Sequence, residues 1–392
     1  MLTMTTYLRA ALSQHPFLTL PSVNINETRH SRIAPHYMLH MRWSCVPVAL
    51  ALLLLTSVAS GIDMTCPRRP LCSRQFCWSY LATEHDLADL QVRLAIEDDL
   101  QHHLQLLRGQ DEAVRRIMNA LVHKLMNPEE SLVLHFAGDQ GTGKTFASEL
   151  ISLAWSRRCS SRYLPSCPSG DSLLSIDFTS LRGKKKDELV DYVVATIEAH
   201  AKRYPHGIVT LNDVQVLNQQ QLEALAPLLG RGDSFDGHAG GQNRLATNKL
   251  LMILTTDFGE AGRTTGMNSK RLETLIRDEF RAKLSSRVEA TMISVPFLPI
   301  APAVAKEVVE VNLKLAQCAF PSIKTLTYDE EVVDFIVEDR IDHLPQNNAR
   351  EVARHTRFIT SALLNEATRG ATAAGVHIHL RVGDDGVKAV TR

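Results

Sequence analysis

The chain has no excess of charge of either sign: 43 Lys and Arg are offset by 43 Asp and Glu, for a formal net charge of +0. Without a basic surplus there is no overall electrostatic footprint for a phosphate backbone, so nucleic acid is not an expected partner. Long apolar runs are scarce too. The one strong example is VPVALALLLLTSVASG, residues 46 to 61, whose uncharged core falls short of the roughly 20 residues a spanning helix needs. Arg42 precedes it and small residues follow, with Val58 and Ser60 at the −3 and −1 positions of a cleavage point. It reads first as a cleaved secretory signal. Because residues 1 to 40 are long for the segment ahead of such a run, initiation at Met38 or Met41, or an uncleaved signal anchor, are the alternatives. The sequon Asn26-Glu27-Thr28 lies before the run and would be discarded by cleavage. Closely paired cysteines are also missing. Cys66, Cys72 and Cys77 are spaced by six and five positions, unlike a zinc site. In an oxidising compartment these three invite disulfides, with free thiols as the alternative; Cys159 and Cys167 follow further on. Cys318, on an apolar helical face, is expected to be a buried small hydrophobe.

What is present is enough apolar material for a core. A chain of 392 residues that is 44% hydrophobic has the size of two domains plus extra segments. No internal repeat occurs. Leucines at 87, 90, 94, 100, 104 and 107 have helical spacing, and His102-His103 on that helix are expected to be solvated. Five β-rich runs follow, at 131 to 138, 172 to 178, 207 to 213, 249 to 257 and 290 to 297, separated by helical patterns. That alternation predicts a parallel five-stranded sheet with helices on both faces. Beyond Pro299 the pattern is helical near 302 to 318, 328 to 338 and 348 to 368, then a strand at 376 to 382, predicting a small, mainly helical second domain. The expected division is a targeting segment at 1–60, a Cys-containing linker at 61–84, a nucleotide-binding domain at 85–298 and a smaller domain at 299–392. The loop at 230 to 241 is rich in Gly and polar residues. Its Arg231-Gly232-Asp233 is too short a match to carry an adhesion function.

Gly138-Asp139-Gln140-Gly141-Thr142-Gly143-Lys144-Thr145 fits G-x-x-x-x-G-K-[ST], follows an apolar strand and opens a helix. Its glycines let successive backbone N–H groups turn toward one anion, and the helix N-terminus adds partial positive charge. Lys144 is placed to reach the outer phosphates and Thr145 to ligate Mg²⁺. The expected ligand is a nucleoside triphosphate, ATP, with Mg²⁺.

Residues 107 to 128, LRGQDEAVRRIMNALVHKLMNP, carry a Gly-Gln-x-x-Ala segment ahead of this loop. With EFRAKLSSRVEATMISVPFLP at 279 to 299 and NNAREVARHTRF at 347 to 358, the chain from about 85 onward resembles the torsin and Clp branch of the AAA+ ATPases. The resemblance implies an α/β nucleotide domain with a small helical lid, assembly into rings or filaments with ATP at subunit contacts, and action on a protein partner. By position it makes Arg287 an arginine finger and Arg350 the sensor 2 residue of a Gly-Ala-Arg helix. An N-terminal signal followed by a Cys-containing linker is similar to torsins of the endoplasmic reticulum lumen. Torsins borrow a finger from a membrane-anchored activator, whereas Arg287 would let this chain serve its own copies. The Gly-Tyr-Val-Gly pore loop of Clp unfoldases has no counterpart in residues 178 to 193. There Lys184-Lys185-Lys186 reads as a solvated turn.

The strand GIVTLND, 207 to 213, ends where the family carries Asp-Glu, so Asn212 stands at the metal-linked Asp and Asp213 at the catalytic Glu. An Asn supports Mg²⁺-bound water less than a carboxylate does. A carboxylate displaced by about 1 Å can cost roughly 100-fold in rate. Asp257, in Thr255-Thr256-Asp257, replaces the Asn of sensor 1, the reverse of the change at Asn212. The two positions could have exchanged charge, or both could have drifted once hydrolysis was dispensable. Two functions follow from the resemblance: a slow AAA+ ATPase that remodels protein partners, or a scaffold that holds ATP and assembles without cutting it. A Clp-type disaggregase of another organelle is a third.

Overall fold

The computed structural model describes residue 87 and residues 90–155, 172–229, 235–236, 244–245, 247–257, 262–283, 292–320, 322–369 and 375–391. All belong to one compact unit, 63–392. The apolar run at 46 to 61, five of the six cysteines after it, Arg231-Gly232-Asp233 and Arg287 lie outside the described residues. Among the described residues no helix is long and apolar enough to cross a membrane.

Helices α1 (Leu90–Leu104) and α2 (Asp111–Met126) lead into strand β1 (Leu132–Ala137) and helix α3 (Lys144–Trp155). Then come β2 (Leu173–Asp177), α4 (Lys186–Arg203), β3 (Ile208–Asn212), α5 (Gln219–Leu229) and the short pair β4 (Phe235–Asp236) and β5 (Arg244–Leu245). The nucleotide-domain pattern closes with β6 (Leu251–Thr256), α6 (Ser269–Lys283) and β7 (Met292–Pro296). The five expected strands form one sheet in the order β2-β3-β6-β1-β7, parallel throughout.

Side-chain alternation explains why both faces are covered. Val133 and Ala137 of β1, Val209 and Leu211 of β3, and Met252 and Leu254 of β6 pack with α4, α5 and α6. Leu132, Leu134 and Phe136, Ile208, and Leu251 and Ile253 from the same strands pack with α1, α2 and α3. A strand buried on both faces reads as a continuous apolar run, which is why these strands were legible. In α1 the buried stripe is Ile96, Leu100, His103 and Leu104, while Leu90 and Leu94 are about half exposed. His103 is therefore not solvated as expected: its spacing from Ile96 and Leu100 places it in the apolar stripe.

Residues beyond the sheet form α7 (Pro302–Ala319), β8 (Ile323–Tyr328), α8 (Glu330–Glu338), α9 (Leu344–Asn347), α10 (Ala349–Ala367), β9 (Val376–Gly383) and β10 (Gly386–Thr391). The helices match the pattern, but β9 is the middle of a three-stranded sheet, β10-β9-β8, rather than a lone strand. Ala305, Val309, Leu313, Val332, Ile336, Val352, Leu364, Ile378 and Leu380 form its core. Cys318 differs from expectation as well. It lies beyond Leu313, the last fully buried residue of α7, is partly exposed, and is disulfide-bonded.

Candidate functional site

The Gly138–Thr145 loop joins β1 to α3 at the C-terminal edge of the parallel sheet, where ligands of open α/β sheets bind. Gly141 and Gly143 have φ of +80° and +105°, conformations that an L side chain rarely adopts. A Cβ at Gly141 would also lie 2.0 Å from the Asn347 carbonyl oxygen. Lys144, the first residue of α3, is buried; its Nζ donates to the carbonyls of Gly138 and Asp139 at 2.8 Å each. Burial pulls its pKa down to about 8, against the upward pull of Asp257, Asp213 and Asp139, while Arg350 lowers it further. Asp257 exerts the largest of the three carboxylate effects. Four residues from separate stretches of sequence, Asp139, Asp213, Asp257 and Arg350, thus converge electrostatically on one ammonium.

Asp139 is buried, and its Oδ2 accepts from the Thr264 amide at 3.0 Å and the Thr264 hydroxyl at 2.5 Å. That side chain anchors the loop from beneath instead of facing a ligand. Thr142 Oγ1 donates to the Asp139 carbonyl at 2.9 Å. Thr145 is exposed toward a cleft of about 1820 Å³ that Gln140, Gly141, Thr142, Gly143, Lys144, Asn212, Asp213, Asp257 and Arg350 also line. This cleft is wider than the roughly 300–1,000 Å³ of a typical small-ligand pocket. Its far wall is built from α7 and α10.

Strands β3 and β6 are neighbours in register, with Leu211 opposite Leu254. At their ends, Thr255 Oγ1 donates to Asn212 Oδ1 at 3.1 Å and Asn212 Nδ2 donates to Ser175 Oγ at 2.8 Å. Asn212 is thereby held between its two neighbouring strands. Asp213 follows with φ 57° and ψ 44°, a left-handed conformation that Asp tolerates better than most residues. Its amide donates to Thr255 Oγ1 at 3.2 Å, and Gln215 Nε2 donates to its Oδ1 at 3.2 Å. Ser175, Gln215 and Thr255 were not singled out from the sequence. Ser175 and Thr255 meet Asn212 only through the pairing of β2, β3 and β6, and Gln215 lies in the turn just after Asp213.

Asn348 was missed as well. It is buried, with φ 46° and ψ −136°, a region where a non-glycine residue costs on the order of 1–3 kcal/mol. It directly precedes Arg350's helix, at the place where the resemblance has the Gly of Gly-Ala-Arg. Gln110, of the Gly-Gln segment, is also buried and bonded to the loop. Leu106, Leu107, Ile300, Val308 and Val311 supply an apolar wall suited to a planar base. Among the described residues no group of three or more His, Cys, Asp or Glu could hold a metal ion alone. The donor set instead fits an ion carried by phosphate oxygens: the Thr145 hydroxyl with Asp213 and Asp257. Lys184, Lys185 and Lys186 are exposed, as a solvated turn requires.

No protein-family model matches the chain, and no curated protein matches it. Solved structures do. An ADP complex of Hsp104 from S. cerevisiae superposes with a TM-score of 0.55 at 15% identity, over 75% of this chain and 51% of that one. The fold is shared with Hsp104. A closed state of Hsp104 with ATPγS and FITC-casein superposes with a TM-score of 0.56 at 14% identity, over 79% of this chain and 52% of that one. The chain therefore spans about half the length of the Hsp104 chains it matches. At such identities the likeness establishes the AAA+ type of α/β fold, and the chemistry rests on the residues.

Proposed function

We propose that the chain binds ATP with Mg²⁺ in this cleft and couples slow hydrolysis to the remodelling of a protein partner, as a Clp- or torsin-like AAA+ ATPase. The observation that carries the reading is the surrounding of Lys144: a buried ammonium behind two left-handed glycines, with Asp213, Asp257 and Arg350 acting on it across the cleft. Lys144 would exchange its bonds to the Gly138 and Asp139 carbonyls for the outer phosphates. Thr145 would hold the metal, with a carboxylate of Asp257 or Asp213 behind it. Arg350 would meet the triphosphate from α10, and Arg287 would reach the site of a neighbouring copy. The chain divides for this purpose into a nucleotide domain at 85–298 and a lid at 299–392. The Hsp104 structures, solved with ADP, ATPγS and FITC-casein, support a nucleotide ligand and a protein substrate.

The second reading, a scaffold that assembles on ATP without cutting it, is favoured by Asn212. That amide is spent on Thr255 and Ser175 and offers no charge to a metal. Single-turnover hydrolysis of ATP by assembled protein separates the two. Phosphate release that Lys144→Ala abolishes supports the ATPase; bound ATP that stays intact supports the scaffold.

We place the protein in the endoplasmic reticulum lumen, either released by cleavage near Ser60 or held by an uncleaved anchor. The apolar leader and the disulfide at Cys318 support an oxidising compartment. Sequencing the mature N-terminus by mass spectrometry after fractionation tests it: a luminal chain starting near Gly61 marks cleavage, a membrane-bound chain retaining residues 46 to 61 marks the anchor, and a cytosolic chain retaining them would contradict the placement.

A further inference from the structure

Two buried side-chain amides hold the connection between sheet and lid in the same way. Leu298, Pro299 and Ile300 link β7 to α7, and Pro299 has no N–H, so this stretch offers two backbone donors. The Leu298 amide donates to Gln110 Oε1 at 2.9 Å. The Ile300 amide donates to Asn348 Oδ1 at 2.9 Å. The other end of each side chain reaches the phosphate loop: Gln110 Nε2 donates to the Thr142 carbonyl at 3.3 Å, and Asn348 Nδ2 donates to the Gln140 carbonyl at 2.9 Å. Gln110 Nε2 also donates to the Leu298 carbonyl at 2.8 Å. Between them the Ala349 amide, at the start of Arg350's helix, donates to the Gly141 carbonyl at 3.1 Å. With Lys144 on Gly138 and Asp139, every carbonyl from 138 to 142 accepts a hydrogen bond. Three of these five come from the hinge clamps or the lid.

We propose that Gln110 and Asn348 are a pair of positioning residues that make the lid angle follow the conformation of the phosphate loop. This rests on the nucleotide reading above. A triphosphate that draws Lys144 Nζ away from the Gly138 and Asp139 carbonyls changes the loop's hydrogen bonding at one end. The carbonyls at the other end are tied through amides to the hinge, so the loop cannot shift without moving the hinge N–H groups or breaking a buried bond. Asn348 keeps a conformation that glycine would hold at less cost. Glycine has no amide with which to join Gln140 to Ile300, and that junction is what the Asn provides.

The substitution that isolates the effect is Asn348→Asp, which keeps the acceptor for the hinge and loses the donor for the loop; Gln110→Glu keeps the acceptor for the Leu298 amide but loses the donor to both Thr142 and the Leu298 carbonyl. Asn348→Gly, which fits the backbone, guards against misfolding of the charged variants. Hydrogen exchange of the full chain, with and without saturating ATP and Mg²⁺, reads the coupling. In the unaltered protein, nucleotide is expected to change exchange in the 138–145 loop, in 298–301 and in 349–360 together. In the three variants the loop response should persist at saturation while the hinge and lid responses are lost. Affinity should fall by roughly 5- to 150-fold, the range of a typical coupling between sites. Variants with a full hinge response at saturation would overturn the proposal, as would variants whose three responses shrink in proportion. An unaltered protein that takes up no nucleotide would overturn the ATP-binding reading, and the clamp with it.

Discussion

The two sides of the cleft follow different rules. On the β1 side, the Gly138–Thr145 loop has the pattern a phosphate cradle requires, with glycine where φ is positive, Asp139 anchoring it from beneath and an ammonium at the first turn of α3. On the β3 and β6 side, the strand ends carry Asn212, Asp213 and Asp257, an amide and two short carboxylates where the family resemblance has Asp, Glu and Asn. Both sides line the same cleft, so the difference is not one of placement. On the proposed reading, holding a triphosphate and cutting it would depend on separate groups, of which the first matches the family pattern and the second departs from it.

The largest effect that tests this contrast is Lys144→Ala. Loss of a hydrogen-bonding charge is worth about 1.5–3 kcal/mol, so ATP affinity by calorimetry should fall roughly 10- to 150-fold. Asp213→Glu should act on rate alone. Restoring the missing methylene is expected to raise single-turnover hydrolysis about 100-fold with little change in affinity; an unchanged rate would place the defect at Asn212. Next comes the cycle of Asn212→Asp and Asp257→Asn. If the two positions have exchanged charge, the double variant departs from additivity by about 0.5–3 kcal/mol in turnover; additive effects remove the exchange. The smallest effect is on pH. Lys144 binds phosphate as an ammonium, and in the free protein it loses that proton near pH 8. Affinity should be level below about pH 8 and fall about tenfold per unit above it, with proton uptake on binding. Lys144→Ala should flatten that slope.

The fold was legible because its strands are buried on both faces and its helices have 3.6-residue periodicity. The smaller sheet was half legible. β8, IKTLTY, and β10, GVKAVT, are mixed runs with one face open to solvent, so neither has the continuous apolar signature of β1 or β6. The cradle was legible since phosphate binding by backbone amides forces a fixed spacing of glycines. Gln215 and Asn348 were not, and Gln110 was legible only as part of the Gly-Gln segment, because a side-chain amide acquires meaning from what it touches, here Asp213, Gln140 and Thr142, none of them within a turn of it except Asp213. Cys318 was misjudged for a related reason: helical spacing placed it on an apolar face but could not show that the core ends at Leu313.

The most direct test is a calorimetric titration of ATP with Mg²⁺ into folded, purified protein. One saturable site per chain is expected. Absence of any uptake by well-folded material would contradict the account at its root, since both the ATPase and the scaffold require an occupied cradle.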